Sequence, residues 1–529
     1  MTAPYSLWGW AQDAAEAPTM TALQELAPLV RDHLGLPVGE PETPADLPAL
    51  PADRVSRRLP RALAELSSAV PLDRARHSLG RSYRDVVRGI RGQLDRVVDV
   101  VLRPTSEAGV RAVLDWCGDA RVAVIPYGGG TSVVGGVEPV VDANWSGVVS
   151  LDLMRLGGVA EIDAVSRAVR VRAGTPGPRL EDELKPHGLT ARFFPQSFER
   201  STVGGWIVTR AAGHFSSRLT HIDDLVESIR AVTPTGVWDS RRLPGSGAGP
   251  SPDRMLLGSE GTLGVVTEAW LRVQPRPTHR WAATVAAPSF AAGAATVRSL
   301  MHAGLHPATC RLIDAHEAAT TGTLATGEAA LVLGFESYGA VPDADAAVAL
   351  AICADHQLRV VESGPRGGSG EAWRSSFVRA PYIREQLVLL GLIVETFETA
   401  ITWDRFDELV ASVRTAGEDA LARICGGGTI TCRLTHVYPD GAAPYFTVMA
   451  PGRRGSELAQ WDDIKSAVSD AIIAAGGSIT HHHAVGRDHM HWYDAQRPDV
   501  FADAYRGAKK AVDPTGILNP GVLVNDGRQ

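Results

Sequence analysis

The spacing of apolar and polar residues predicts a mixed α+β fold. Residues 95–120 start with an apolar run, turn at Pro104-Thr105-Ser106 and continue with apolar residues at helical spacing, as in a strand, a capping turn and an amphipathic helix. An apolar run over 122–130 then ends in glycine, which is typical of a strand that enters a loop. Two β-rich stretches follow at 147–156 and 167–174. A helix over 176–188 is expected to stop at His187-Gly188.

Changes in this pattern predict four segments along the chain. A length of 529 residues exceeds what one core usually serves, since single cores stop growing near ~250–300 residues. Residues 1–94 mix proline-rich and helical stretches and are interpreted as a lead-in without chemistry of its own. Residues 95–277 form a first domain with a surface loop at 240–253, and 278–475 form a separate α+β cap in which alanine-rich helices alternate with strands. Residues 476–529 carry a histidine run and are expected to pack back on the first domain.

Composition and charge limit the classes of molecule that this protein is expected to bind. Hydrophobic residues make up 44% and charged residues 21%, which are globular values. A net charge of −8 opposes unspecific attraction to nucleic acid. The five cysteines are scattered, with no Cys-x-x-Cys pair, so neither a zinc site nor a dithiol is expected. The opening residues do not resemble a signal peptide, so we expect a cytoplasmic protein. A homodimer is a separate expectation, and peripheral membrane contact is left open.

A glycine-rich loop follows the second predicted strand. Three successive glycines let backbone N–H groups approach an anion without interference from Cβ atoms, so this loop could hold a pyrophosphate or could be a flexible turn. It matches neither the Gly-x-Gly-x-x-Gly fingerprint nor a P-loop. The candidate residues are Pro126, Tyr127, Gly128, Gly129, Gly130, Thr131 and Ser132.

Two later segments place glycines and small hydroxyl residues in apolar surroundings. The first contributes Pro195, Gln196, Ser197, Ser201, Thr202, Gly204, Gly205, Thr209, Arg210, Ala211 and Ala212. The second contributes Glu260, Gly261, Thr262, Leu263, Gly264, Val265 and Val266. With the glycine loop, in this order, they resemble the FAD-binding half of the vanillyl-alcohol-oxidase-type flavoenzymes. The resemblance implies a two-subdomain, PCMH-type FAD-binding domain; because Gly130 stands where some members carry a flavin-linking histidine, the FAD is expected to be non-covalent.

A closer resemblance, over residues 80–515, is to the alkylglycerone-phosphate synthase family. It is carried by segments such as VETFETAITWDR, TCRLTHVYPDGAAPYF and GGSITHHHAVGRD. That family exchanges the fatty acyl group of acyl-dihydroxyacetone phosphate for a fatty alcohol and uses FAD without net redox change. The resemblance implies a lipid substrate and a role in ether lipid synthesis.

The same resemblance assigns the catalytic candidates. Tyr445 matches the family's proton-transferring tyrosine, and a phenol needs a tuning partner for that task. The run His481, His482 and His483 matches the essential histidines; on an extended segment at most two could share a face. Arg384 matches the substrate-binding arginine and Arg311 a further one needed for activity.

Structural interpretations stay open for the same residues. Tyr445 could be an ordinary strand tyrosine, and Arg311 and Arg384 could pair with Asp314 and Glu385. No metal is expected, since three consecutive side chains cannot converge on one ion and no Cys or spaced His completes a site.

Two departures from the family favour an alternative. Phe193-Phe194 stand where the family has His-Glu, which removes one polar group. Asn519-Pro520-Gly521 has the form seen in oxidases and 2-hydroxy-acid dehydrogenases. The alternatives are therefore an FAD-linked oxidoreductase acting on a 2-hydroxy acid, and a flavin-binding protein without turnover.

Overall fold

The computed structural model describes residues 9–10, 18–365 and 382–524. The chain divides into two compact units. Unit A comprises Pro44–Ala212, His221–Pro275 and His482–Gln529, and unit B comprises Met1–Thr43, Gly213–Thr220 and Arg276–His481. No helix of the described residues is long and apolar enough to cross a membrane.

Unit A contains strands β1–β11. The strands are β1 Ser67–Ser68, β2 Val100–Leu102, β3 Val122–Tyr127, β4 Gly147–Asp152, β5 Val159–Asp163, β6 Ala168–Arg172, β7 Leu189–Thr190, β8 Val226–Thr233, β9 Gly236–Asp239, β10 Val265–Arg272 and β11 Gln274–Pro275. The helices are Arg61–Ala64, Pro71–Arg76, Tyr83–Ile90, Glu107–Ala120, Gly177–Leu184, Val203–Thr209, Ile222–Leu225, Asp253–Leu256, Met490–Gln496 and Asp499–Val512.

These strands build two main sheets. One has the order β1-β2-β4-β3, in which β4 runs parallel to β2 and β3. All six residues of β4 are buried, as a central strand covered on both faces requires. The other is antiparallel, with the order β5-β6-β10-β8-β9. The C-terminal segment extends the first sheet, because the Val124 and Asn519 N–H groups donate to the Ile517 and Val124 carbonyls.

Several predicted elements of unit A are present. Ser106 caps the helix Glu107–Ala120 by accepting from the Gly109 N–H at 3.2 Å. Residues after Gly177–Leu184 tighten to a 3₁₀ turn that ends at Gly188, whose φ is +68°. Glycine adopts this left-handed conformation without a Cβ penalty. The predicted α+β class is confirmed.

Unit B is built on one eight-stranded antiparallel sheet. Its strands are β12 His279–Ala287, β13 Thr309–Ile313, β14 Ala329–Ser337, β15 Arg359–Gly364, β16 Leu392–Glu398, β17 Ile401–Thr402, β18 Thr429–Val437 and β19 Gly441–Pro451. The order is β15-β12-β14-β13-β18-β19-β16, and β17 pairs with β19. The helices are Met20–Leu34, Phe290–His302, Ala315–Thr320, Asp343–Asp355, residues 382–389, Phe406–Cys425 and Glu457–Ala474.

The unit boundaries differ from the segments expected from the sequence. Residues 44–94 belong to unit A, and residues 213–220 belong to unit B although the pattern placed them within 95–277. Hydrogen bonds account for the second difference, because Ser216 donates its N–H to the Ala308 carbonyl and accepts from the Val437 N–H. Local hydrophobic spacing carries no signal for such pairings between distant residues.

Candidate active site

The glycine loop of unit A begins directly after β3. A Cβ at Gly129 would lie 1.9 Å from the Arg200 carbonyl oxygen, and one at Gly130 would lie 1.9 Å from the Tyr127 hydroxyl. Gly130 also has a φ of +65°. Among the residues that the structure describes, no protein acceptor takes the N–H groups of Gly129, Gly130 and Thr131. Consecutive N–H groups of this kind can receive a pyrophosphate.

The backbones of two arginines contact this loop and the strand before it. The Arg81 N–H donates to the Ser132 carbonyl at 2.6 Å, and the Arg76 carbonyl accepts from the Tyr127 hydroxyl at 3.2 Å. Burial raises the pKa of Tyr127, while the positive charges of Arg81 and Arg200 act in the opposite direction. Arg81 therefore stands beside the cofactor loop, within the lead-in that was expected to have no chemistry. The repeated arginines of residues 74–84 were the only signal in the sequence.

The second group of predicted cofactor contacts surrounds the start of a helix. Thr202 caps Val203–Thr209, and its Oγ1 accepts from the Gly205 N–H at 3.3 Å. The Trp206 indole donates to Ser201 Oγ at 2.7 Å. Phe193, one of the two departures from the family pattern, packs against Trp206 with ring centroids 5.0 Å apart. The structure thus uses several of these side chains to shape the segment.

The third group forms a turn that holds the C-terminal segment. The buried Glu260 carboxylate accepts from the N–H groups of Val485 and Gly486 at 2.9 Å. Burial raises the pKa of Glu260 to about 7, against the lowering effect of these backbone hydrogen bonds. Asn519 donates to the Glu260 carbonyl at 2.8 Å. Glu260 therefore fixes the turn that follows the histidine run.

Two buried polar atoms of unit A also fit an FAD-binding site. Ser259 Oγ and Asn519 Oδ1 are buried and have no hydrogen-bond partner within the described residues. Buried polar atoms are normally satisfied, so both suit a polar ligand next to the third group. Together with the N–H groups of the glycine loop, they could hold the polar parts of the cofactor.

In unit B, several candidate active-site residues lie on the same face of the sheet, because alternate residues of a strand point to the same side. Leu312, Ile430 and Phe397 face the helices, as their closeness to Gly293, Gly417 and Lys465 shows. Their neighbours along each strand point to the opposite face. That face carries Arg311, Arg433, Thr396, Glu398 and Tyr445.

Tyr445 has charged neighbours on both adjoining strands. It lies directly opposite Glu398 of β16 and Arg433 of β18. The Arg433 guanidinium carbon is 4.1 Å from the centroid of the Tyr445 ring. Tyr445 is 5% exposed, and burial raises the pKa of its phenol. Such a tyrosine has the tuning partner that proton transfer requires.

Glu398, the strand partner of this tyrosine, binds the start of the histidine run. Its carboxylate accepts from the Thr480 hydroxyl at 2.5 Å and from the His481 N–H. The His481 Nε2 lies 2.7 Å from the Tyr438 hydroxyl, and its ring stacks on His436 with centroids 4.9 Å apart. Neither Tyr438 nor His436 was singled out from the sequence, although both lie in the TCRLTHVYPDGAAPYF segment that carries the family resemblance.

The three histidines lie on a bend and not on an extended segment, so the expected alternation of faces does not apply. His481 belongs to unit B, whereas His482 and His483 belong to unit A. In unit A the rings of His482 and His483 meet edge to face at 4.7 Å. The first histidine therefore has its described contacts in unit B, and the other two contact each other in unit A.

The two predicted arginines differ in burial. Arg311 is 1% exposed and donates to the His214 carbonyl, and burial together with Arg433 lowers its pKa to about 9. Asp314, its proposed ion-pair partner, pairs with Arg414 at 2.6 Å. Arg384 is half-buried on the helical residues 382–389. The neighbouring Glu385 carboxylate accepts from the Trp10 N–H.

Comparisons with known proteins agree with this architecture. Residues 98–239 match the family model described as FAD binding domain, and residues 276–523 match FAD linked oxidases, C-terminal domain. The chain therefore combines the two domains of the FAD-linked oxidases, in agreement with its resemblance to the vanillyl-alcohol-oxidase-type flavoenzymes, and its cofactor is FAD.

Within that class the chain is alkyldihydroxyacetonephosphate synthase-like. It is 28% identical over 550 residues to the alkyldihydroxyacetonephosphate synthase of Dictyostelium discoideum, covering 95% of this chain and 88% of the relative. The enzyme of that name from Trypanosoma brucei brucei is 28% identical over 477 residues, covering 85% and 77%. A solved alkyldihydroxyacetonephosphate synthase structure superposes with a TM-score of 0.78 at 26% identity, covering 94% and 92%. The glycolate oxidase subunit GlcD of Bacillus subtilis matches at 24% identity over 82% of this chain and 90% of its own.

Proposed function

We propose that this protein is an FAD-dependent alkylglycerone-phosphate synthase that exchanges the acyl group of acyl-dihydroxyacetone phosphate for a fatty alcohol. One observation carries the proposal. Glu398 lies opposite Tyr445 in the sheet and accepts hydrogen bonds from Thr480 and His481. Glu398 thus pairs with the tyrosine in the sheet and binds the backbone of the first histidine of the family pattern, although the three residues are far apart in sequence.

Each candidate residue has a role that follows from the chemistry of its side chain. Tyr445 moves a proton to or from the reacting ketose carbon, in a site where Arg433 and Glu398 are its charged neighbours. His481, held at its backbone by Glu398 and at Nε2 by Tyr438, is a second proton-handling group. A guanidinium such as that of Arg384 can bind a phosphate through paired N–H groups. FAD supplies an electrophilic ring that can take and return electron density without net oxidation.

A redox-neutral reaction distinguishes this function from the oxidoreductase alternative. With acyl-dihydroxyacetone phosphate and a long-chain alcohol, the holoenzyme should release fatty acid and form ether product without oxygen or an electron acceptor. A 2-hydroxy-acid dehydrogenase would bleach its flavin with substrate under anaerobic conditions and would need an acceptor to turn over. Bleaching by a 2-hydroxy acid, with no fatty acid released from the acyl substrate, would refute the synthase function.

Cytoplasmic location, a homodimer and peripheral membrane contact stay predictions from the sequence. The lipid substrate is common to the proposal and to the named function of the synthase relatives.

A further inference from the structure

Arg433 makes an unusually specific contact with Tyr445. The two residues are directly paired between β18 and β19, and the guanidinium lies over the phenol ring, 4.1 Å from its centroid. A cation over the face of an aromatic ring is attracted by the ring's negative electrostatic potential. Because the Arg433 side chain is only 13% exposed, water screens this interaction weakly.

A buried carboxylate holds the arginine in this position. Glu317 Oε1 lies 2.6 Å from Arg433 Nη1, and its other oxygen accepts from the Thr431 hydroxyl at 3.3 Å. Glu317 is itself fixed, because its N–H donates to Asp314 at the start of the helix Ala315–Thr320. The guanidinium therefore cannot turn away from the ring without breaking a buried ion pair, which is costly.

The charges around Tyr445 oppose one another. Burial raises the pKa of the phenol, while Arg433 and a hydrogen bond with Thr396 favour its ionised form. Glu398 and Glu395, both on β16, favour the neutral form. Arg433 also lies close enough to Arg311 for its charge to lower the pKa of the Arg311 guanidinium. Arg433 is thus a cation that acts against burial and the two carboxylates without cancelling them, because the pKa of the phenol is raised overall.

We propose that Arg433 is a positioning residue for Tyr445: its guanidinium, anchored by Glu317, fixes the phenol ring and stabilises the phenolate. The role in turnover rests on the proposed function. The effect on the phenol does not, because it follows from contacts within unit B. Two substitutions should act in opposite directions. Arg433→Met removes the cation, whereas Glu317→Gln leaves the cation without its neutralising partner.

The test is ¹⁹F NMR of the full-length holoenzyme labelled with 3-fluorotyrosine, whose fluorine brings the phenol titration into an accessible pH range. Tyr445→Phe identifies the signal among the nine tyrosines of the chain. The titration midpoint should rise by about one pH unit in Arg433→Met, a tenfold change in phenolate fraction, and should fall in Glu317→Gln. Arg433→Lys, which keeps the charge but loses the planar group, should lie between Arg433→Met and the wild type.

Arg359→Met is the control, since Arg359 is also an ion-paired arginine of unit B and its partner is Glu328, which holds neither Glu317 nor Arg433. Its midpoint should equal that of the wild type. If Arg433→Met does not fold, the titration midpoints of Arg433→Lys and Glu317→Gln test the proposal in its place. Equal midpoints in these two variants and the wild type would overturn the proposal. In an active enzyme the pH dependence of kcat/KM should move with the NMR midpoint; absence of synthase activity with shifted midpoints would refute only the proposed function.

Discussion

At the scale of single residues, Tyr438 and Glu398 hold His481 from two sides. Glu398 binds the backbone N–H, and the Tyr438 hydroxyl lies 2.7 Å from Nε2. Another neighbour of this hydroxyl, Thr220 Oγ1, is 3.4 Å away. A phenol hydroxyl donates one hydrogen bond, and the shorter distance favours His481 Nε2 as its acceptor.

Removing the Tyr438 hydroxyl should therefore loosen His481 and leave the cofactor in place. Tyr438→Phe keeps the ring and is expected to lower kcat/KM by about tenfold, the value of one hydrogen bond worth roughly 1.4 kcal/mol. FAD content should stay at the wild-type level. Tyr338→Phe is the control, because Tyr338 is 52% exposed. Wild-type activity in Tyr438→Phe would show that the hydrogen bond is not used.

The raised pKa of Glu260 predicts that the stability of the folded protein depends on pH. Its pKa is raised from 4.5 to about 7 in the folded protein, so folding favours the protonated carboxyl. This contribution is fully present below about pH 4.5 and is lost as the pH rises through about 7. Relative to Glu260→Gln, the wild type should gain on the order of 2 kcal/mol in unfolding free energy between pH 8 and pH 5. Thermal midpoints of both proteins at the two pH values measure it; parallel midpoints would contradict the prediction.

At the scale of elements, the glycine loop is confined by the protein itself. The sequence indicated that a Cβ would crowd a pyrophosphate, but at Gly129 it would first meet the Arg200 carbonyl, which is backbone and cannot rotate away. The loop and the segment around Ser201 must therefore approach each other without side chains between them.

Gly129→Ala should displace this loop and lower FAD occupancy well below half, as measured by the ratio of flavin to protein absorbance after purification. The melting temperature should also fall. Gly247→Ala is the matched control, because a Cβ there meets nothing within 4 Å. Full FAD occupancy in Gly129→Ala would mean that the close approach to Arg200 is not needed.

At the scale of the whole molecule, retention of the cofactor should depend on the fold and not on a covalent bond. Gly130 stands in the position of the linking histidine of some relatives, and its space is closed by the Tyr127 hydroxyl. Acid precipitation should leave the yellow colour in the supernatant. Colour that stays with the precipitated chain would require a different linking residue.

The sequence alone determined the class of fold, the strands and helices around the cofactor loops, and the family. The fold class and these elements follow from local spacing, such as an apolar run ending in glycine and a serine cap before a helix, whereas the family followed from the resemblance of whole motifs in a fixed order. It also singled out Tyr445 and the histidine run, because these side chains stand in continuous motifs.

Only the tertiary structure decided which partners these residues have. The pairing of Arg433 with Tyr445 depends on the register between β18 and β19, and the hydrogen bonds of Glu398 with Thr480 and His481 join residues about eighty positions apart. Arg81 reaches the glycine loop by packing of a segment that has no motif. Contacts of this kind arise from strand register and chain packing, which local hydrophobic periodicity does not encode.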